Sequence, residues 1–298
     1  MSGGQWPAGS PPPPPPTAPP TLPPYGYAVP VQPWSAPPAP ARRTWVGVTA
    51  VLLALASVAV SVLAVVLRPS AVNAGGLHAV TDISSAPWSA EFVDTSGAAA
   101  RWDPCTPIHY VVDPAYAPAG AMVDVSEAFA RLHAVSGLTF ALDGTTQERP
   151  TRGRQAYQPT VYGHAWAPVL ISWSPPSGTD LLSEPKAEAV TVPVAVGSKS
   201  RTGGGSIVSA EVVLNTARQL PVGFGPGPSE GEVLMHELGH AVGLGHVNNI
   251  GDAMYPTVRG LASYGPGDRE GFAAVGAAAG CHAAPPARAL DVPPLPQG

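Results

Sequence analysis

The chain has 298 residues, a length that allows about two domains, but 39 of them are prolines concentrated towards the two ends. Its net charge is −5 and it contains only two lysines, which excludes an electrostatic surface for nucleic acid, so we expect no nucleic-acid partner. The middle of the chain is therefore the part that can bury a sizeable hydrophobic core.

Residues 1–43 contain runs such as PPPPPPTAPP, and no charged side chain precedes Arg42. Proline fixes φ and removes a backbone donor, so this stretch favours polyproline II and predicts a disordered cytoplasmic tail. Two interpretations stay open: a flexible solvated tail, which the bland composition favours, and a ligand for a proline-binding partner. Residues 284–298 are predicted to be a second proline-rich tail.

Residues 44–67 (TWVGVTAVLLALASVAVSVLAVVL) carry no charge. As a helix they rise about 36 Å, enough to cross a hydrocarbon core of roughly 30 Å, which predicts one transmembrane helix rather than a buried globular one. Arg42 and Arg43 precede the run and only Arg68 follows it, so the N-terminus is expected in the cytoplasm and the rest outside the cell membrane. A signal peptide cleaved near VNA at 72–74, giving a secreted protein, is the alternative.

Residues 68–100 lack sustained periodicity and are predicted to be a stalk that leads to a folded domain at 101–283. Cys105 and Cys281 are the only cysteines, and they bracket this domain. In an oxidising compartment, a single pair in these positions predicts one disulfide bond. Two separate buried thiols are the alternative.

The 101–283 segment predicts an α+β domain. Runs of β-branched and aromatic residues predict strands, and apolar residues spaced by three and four predict helices. The predicted strands are 107–113, 138–142, 169–173 and 209–215, and the predicted helices are 121–137 and a closing helix at 267–280. A stretch rich in Pro, Gly and Ser, residues 174–205, is predicted to be a long loop.

HELGHAVGLGH, residues 236–246, places three histidines and a glutamate within eleven residues. Ser229 and Glu232 have the spacing of a capping box, so a helix is expected to begin after Ser229. At 100° per residue, His236 and His240 lie about 40° apart on one helix face. The apolar residues of the opposite face are expected to pack on the sheet: Leu234, Leu238 and Ala241.

Gly243 permits a positive φ, so the helix can stop there and the chain can double back to bring His246 to the same point. Glu237 lies beside the histidine pair, near enough to reach a water between them. Three neutral imidazoles leave a fourth tetrahedral position open, as in a catalytic zinc site rather than a closed structural one. The motif predicts one zinc per chain, against the alternative of an ordinary histidine-rich helix end.

HELGHAVGLGH followed by AMYP at 253–256 resembles the metzincin metalloproteases, and in particular their matrixin branch. The resemblance implies a matrixin-like catalytic domain, in which a twisted mixed sheet carries an active-site helix and a C-terminal helix. It implies three zinc ligands, His236, His240 and His246.

The same resemblance assigns roles to the residues around the ligands. Glu237 is the implied general base, which acts on a zinc-bound water. Met254 is implied to form the turn beneath the metal. Pro256, Thr257 and Val258 correspond to the wall of the primary specificity pocket. The implied activity is that of a membrane-anchored, extracytoplasmic zinc endopeptidase that cleaves protein or peptide substrates.

Some expectations differ from the animal matrixins. There is no third cysteine for latency by a prosegment thiol, and residues 174–208 lack the histidine- and aspartate-rich loop that binds a second zinc, which leaves calcium sites open as well. An extended substrate is expected to lie antiparallel to an exposed edge strand at Ser209–Asn215. A zinc-stabilised surface binding module without turnover is the alternative function.

Overall fold

The computed structural model describes residues 72–74, 77–183, 187–197 and 204–290. The predicted tail at 1–43, the predicted transmembrane helix at 44–67 and the last eight residues lie outside this part of the chain. Within the described ranges, no helix is both long enough and apolar enough to cross a membrane.

The described chain alternates strands and helices. The strands are β1 (Val72–Ala74), β2 (His78–Ala79), β3 (Phe92–Val93), β4 (Ile108–Asp113), β5 (Phe140–Thr145), β6 (Val169–Ser174), β7 (Ala189–Gly197) and β8 (Gly205–Asn215). The α-helices are α1 (Ala121–Ser136), α2 (Pro159–Tyr162), α3 (Glu230–Ala241) and α4 (Pro266–Val275). Helix α4 is shorter than the predicted 267–280 because the backbone turns extended at Gly276.

Six strands form one mixed sheet in the order β1-β7-β8-β6-β4-β5, and β2 pairs with β3 separately. Strands β8, β6, β4 and β5 are parallel, β7 is antiparallel to β8, and β1 is parallel to β7. The predicted mixture of α and β structure is therefore confirmed.

Strand β8 lies inside the sheet and is buried along its whole length. On one face, Ala210, Val212 and Leu214 join the core formed with α1, α3 and α4. On the other face, Val208 and Val213 pack under the segments that connect the strands. The prediction of an exposed edge at Ser209–Asn215 was therefore wrong, because both neighbours of this strand are occupied.

The predicted loop at 174–205 was also wrong, since β7 occupies Ala189–Gly197 and covers one side of β8. Within AVTVPVAVG, Pro193 argues against a strand, because proline has no backbone N–H to donate to a sheet. It is tolerated because, among the described strands, only β8 pairs with β7 at this position; β1 reaches Val194–Val196 and no further. The outer edge of β7 from Ala189 to Pro193 carries no described strand.

The folded unit extends beyond the predicted limits of 101 and 283. Leu77, Phe92 and Ala100 form a buried cluster with the sheet, so residues 77–100 belong to the domain rather than to a stalk. At the other end, the indole of Trp166 donates a hydrogen bond to the carbonyl of Pro285 at 2.9 Å, and Leu290 packs beside it. Both of these terminal stretches lack periodicity, so their sequence pattern alone does not show that they pack against the folded domain.

A buried polar network holds the connection between β5 and β6 against the sheet. The Arg154 guanidinium pairs with Glu148 at 3.0 Å and donates to the carbonyls of Pro168 and Ala210 at 2.8 and 3.1 Å. Glu211 is buried nearby, and burial raises its pKa to about 8 although Arg154 acts in the opposite direction. A backbone amide from Thr151 reaches Glu211 Oε2 at 3.2 Å.

The predicted disulfide between Cys105 and Cys281 is confirmed, with the two Cα atoms 5.4 Å apart. It joins the segment before β4 to the segment after α4. The bond therefore links two segments that are 176 residues apart in sequence.

Replacing both Cys105 and Cys281 by serine should lower the free energy of unfolding by up to about 5 kcal/mol, because the bond removes loop-closure entropy from the unfolded chain. Urea unfolding of both proteins, followed by circular dichroism, measures the difference. An unchanged midpoint would contradict a stabilising role for the bond.

Glu211 should make the fold less stable as the pH rises. Its folded pKa of about 8 exceeds the ordinary glutamate pKa of 4.5, so the stability from its protonated form is complete below about 4.5 and is lost as the pH rises through about 8. In Glu211→Gln, the drop in the urea midpoint between pH 5 and pH 9 should be smaller than in the wild type. Glu270→Gln, at an exposed position on α4, is the control and should keep the wild-type drop.

Candidate metal centre

Helix α3 begins and packs as its sequence predicts. The Ser229 side chain caps it by accepting the amide of Glu232 at 3.3 Å. Leu234, Leu238 and Ala241 are buried in the core. The histidine face is also buried, since His236 and His240 are 8% and 1% exposed, because neighbouring segments cover that side too.

The predicted capping box is only half present. The Glu232 carboxylate does not return to Ser229 but accepts the backbone amides of Arg259, Gly260 and Leu261 at 2.6–2.9 Å. It thereby fastens the chain that follows the predicted pocket wall to the first turn of α3. Sequence spacing alone does not distinguish a carboxylate that caps its own helix from one that binds a distant loop.

The chain reverses after α3 at Gly243, where φ is 110°. A β-carbon there would lie 2.9 Å from Ile207 Cδ1 and 3.0 Å from the carbonyl oxygen of Ala100, so both the torsion and the space favour glycine. Leu244 then donates its amide to the carbonyl of Gly239 at 2.9 Å. The reversal carries His246 back to the histidine pair, as predicted.

The three predicted ligands meet in one buried cluster. His236 Nε2 lies 3.1 Å from His240 Nε2 and 3.2 Å from His246 Nε2. One nitrogen from each ring falls within 4.8 Å of the others, a spacing that could hold a metal ion. The other described group of this kind, Asp103 with the two cysteines, is explained by the disulfide.

Neighbouring carbonyls fix which ring nitrogens carry protons. His236 Nδ1 lies 2.6 Å from the carbonyl oxygen of Ala253, and His240 Nδ1 lies 2.7 Å from that of Leu244. A carbonyl only accepts, so each Nδ1 bears the proton and each neutral ring turns an Nε2 lone pair towards the other. Two lone pairs 3.1 Å apart repel unless a cation lies between them, so these residues fit a metal ion.

Glu237 is buried beside the cluster, 6% exposed. Thr191 of β7 donates its hydroxyl to Glu237 Oε2 at 2.6 Å, which orients the carboxylate. Oε1 accepts no hydrogen bond from the described residues. Thr191 was missed in the sequence because it stands in the stretch predicted to be a loop.

Met254 lies next to Gly239 of α3 and is 1% exposed. A β-carbon on Gly239 would overlap Met254 Sδ, which explains a glycine inside α3 despite its cost of roughly 1 kcal/mol there. Asp268 of α4 accepts the amides of Ala253 and Met254 at 2.6 and 3.1 Å and so holds this turn in place. Nothing in the sequence links Asp268 to it.

Pro256, Thr257 and Val258 follow this turn and are all partly buried. Val258 packs against the main core, and the Thr257 hydroxyl is buried. The segment lies between Met254 and the loop that Glu232 holds, so it is attached at both ends.

The N-terminal segment, residues 77–100, holds the Gly243–His246 loop, which carries the third histidine, through backbone hydrogen bonds. Its backbone makes hydrogen bonds of 2.8–3.1 Å on both sides of Leu244: Glu91 N to Gly243 O, Gly245 N to Ser89 O, and Ser84 N to His246 O. Glu91 also places Oε2 3.2 Å from His240 Nδ1 while it is only 6% exposed. This segment was predicted to be a stalk, so Glu91 had no place among the predicted site residues.

Comparison with known proteins does not assign the chain to a family, so the interpretation of the site rests on its residues. No protein-family model matches the chain, and no curated protein matches its sequence.

Glu91→Gln should weaken zinc binding by about tenfold or more, because it removes a buried negative charge beside the His240 ring. Competition with a chromophoric chelator at fixed pH measures the affinity. Asp143→Asn is the matched control, since Asp143 makes a similar contact of 2.8 Å with His109 on an exposed surface. Equal affinities for Glu91→Gln and the wild type would contradict a role for this carboxylate.

Proposed function

We propose that the domain is a zinc endopeptidase of the metzincin type, with His236, His240 and His246 as the zinc ligands. The observation that carries the proposal is the convergence of three buried imidazole nitrogens next to a glutamate held by one hydroxyl. Zinc suits three imidazole nitrogens and keeps a fourth position open when it serves catalysis. Met254 beneath Gly239 and the reversal at Gly243 agree with the resemblance stated from the sequence.

The chemistry assigned to the protein's own groups is acid–base catalysis. Bound zinc supplies a Lewis acid that polarises the scissile carbonyl and makes water a stronger nucleophile at neutral pH. Glu237 accepts the proton of the attacking water and then delivers it to the leaving amine. Thr191 keeps Glu237 in place during both transfers, and the burial of the site strengthens each charge interaction.

The substrate is proposed to lie along β7 rather than along β8. Backbone groups of Ala189–Pro193 face outward without a described strand, whereas β8 is enclosed. Thr191 connects this same stretch to Glu237. An extended peptide that adds antiparallel to this edge therefore passes beside the base.

We also propose that the domain works outside the cytoplasm, attached to the cell membrane by residues 44–67. The disulfide between Cys105 and Cys281 supports an oxidising compartment. The uncharged run and the arginine asymmetry around it support the anchor and its direction.

Glu237→Ala and His240→Ala should separate the base from a ligand. The wild type is expected to contain one zinc per chain by elemental analysis and to cleave a peptide library. Glu237→Ala should keep its zinc and lose nearly all activity, whereas His240→Ala should lose the zinc as well.

A fully active Glu237→Ala protein would refute the assignment of the base. A wild-type protein that holds zinc yet cleaves no peptide would favour the surface binding module instead. His133→Ala is the control for loss of a histidine as such, because His133 Nδ1 contacts only a carbonyl near the end of α1, at 2.8 Å.

A further inference from the structure

A cavity lies at the N-terminal end of α3, and its lining does not include the residues of the predicted pocket wall. It encloses about 350 Å³, a volume within the usual range for a side-chain or small-ligand pocket. Its walls include the apolar side chains of Leu214, Leu220 and Val233 and the ring of Trp173, and Tyr116 lies at its rim. None of Pro256, Thr257 and Val258 lines it.

Glu230 is the buried charged group of this cavity and is 6% exposed. Its Oε1 accepts the indole N–H of Trp173 at 3.1 Å, and its Oε2 accepts no hydrogen bond from the described residues. Burial, with the negative charge of Asp124, raises the pKa of Glu230 to about 7 despite the bond from Trp173.

None of the described residues that line the cavity carries a positive charge. Glu188 lines the mouth, but Arg218 pairs with it at 3.0 Å, and both side chains are about one-third exposed. Asp124 is buried and accepts the amide of Gly223 at 2.6 Å. Glu230 is therefore the charged group among the described lining residues that no described basic side chain offsets, and the apolar walls beside it suit a cation carried on an apolar stem.

The cavity is aligned with the proposed catalytic groups. Glu230, Val233 and Glu237 share one face of α3, and seven residues of helix place Glu237 about 10 Å along the axis from Glu230. Glu188 immediately precedes Ala189, where the open edge of β7 begins. A peptide antiparallel to β7 directs its C-terminal part towards this end, and three extended residues span about 10 Å.

We propose that this cavity binds the side chain of a lysine or arginine in one of the first three residues after the scissile bond, with Glu230 as its counter-charge. This inference rests on the proposed endopeptidase function and defines its substrate class. The aliphatic part of the side chain contacts the apolar walls, and its cationic end donates to Glu230 Oε2. A cation at that oxygen supplies the stabilisation that water supplies before the group is buried.

Two non-glycine residues of the described chain have positive φ, Tyr116 at 63° and Gln219 at 46°, and both line this cavity. Such torsions are costly and are often found at binding sites. These two residues shape the rim of the cavity, and their torsions are consistent with a binding role. The proposed binding role itself rests on the cavity and on Glu230.

The test compares cleavage of peptides that carry either lysine or norleucine at the first, second or third position after the scissile bond. The two side chains have similar stems and differ in charge. At one position, the wild type should show a kcat/KM at least tenfold higher for lysine. In Glu230→Gln, whose side-chain oxygen can still accept the Trp173 bond, this ratio should fall to about one.

Glu270→Gln removes an exposed carboxylate from another helix and should keep the wild-type ratio. Thermal unfolding of each variant checks that the fold is intact. A wild type that cleaves lysine and norleucine peptides equally at all three positions overturns the cavity assignment, whatever the variant does.

A binding measurement distinguishes failure of this inference from failure of the proposed function. Isothermal titration of Glu237→Ala with the same peptides should give a Kd at least tenfold lower for the lysine form. If the wild type cleaves nothing but this preference is present, the cavity assignment stands and the endopeptidase proposal fails. Equal affinities overturn the cavity assignment.

Discussion

The mutual orientation of His236 and His240 is the constraint on which the rest of the site depends. Carbonyls of Ala253 and Leu244 hold the proton of each ring on Nδ1, so two Nε2 lone pairs face each other at 3.1 Å in a buried space. This arrangement is unfavourable for two neutral rings and favourable around a cation. His246 adds a third nitrogen to the same point, so the cluster could hold a metal ion.

Three segments distant in sequence maintain this arrangement. The turn at Met254 provides the carbonyl of Ala253 and is itself held by Asp268 of α4. The N-terminal segment, residues 77–100, holds the Gly243–His246 loop through its backbone and adds Glu91 beside His240. From the sheet, β7 contributes Thr191 to Glu237. The three histidines are therefore fixed by the tertiary fold, and the disulfide links the segment before β4 to the segment after α4.

The sequence was informative wherever local rules determine structure. Helix α3 and its Ser229 cap follow from periodicity and capping, and Gly243 marked the reversal because few other residues accept its torsion. The wrong predictions share one physical cause: contacts with residues distant in sequence determine whether these segments are buried. Strand β7 contains Pro193 and is stabilised by pairing with β8, while residues 77–100 have no periodicity and pack against both the sheet and the loop that carries His246. Glu232 followed a local motif but binds a loop 27 residues away.

Four buried carboxylates of α3 and α4 differ in how many hydrogen bonds the described residues donate to them. Glu232 accepts three backbone amides, and Asp268 also accepts three, those of Ala253, Met254 and Gly265. Such groups are stable without a ligand and act as structural clamps. Glu237 and Glu230 each accept a single side-chain donor, from Thr191 and Trp173, although each is only 6% exposed. A proton or a cation brought by substrate supplies a further partner to each, so these two carboxylates on one face of α3 are the ones proposed for chemistry and for recognition.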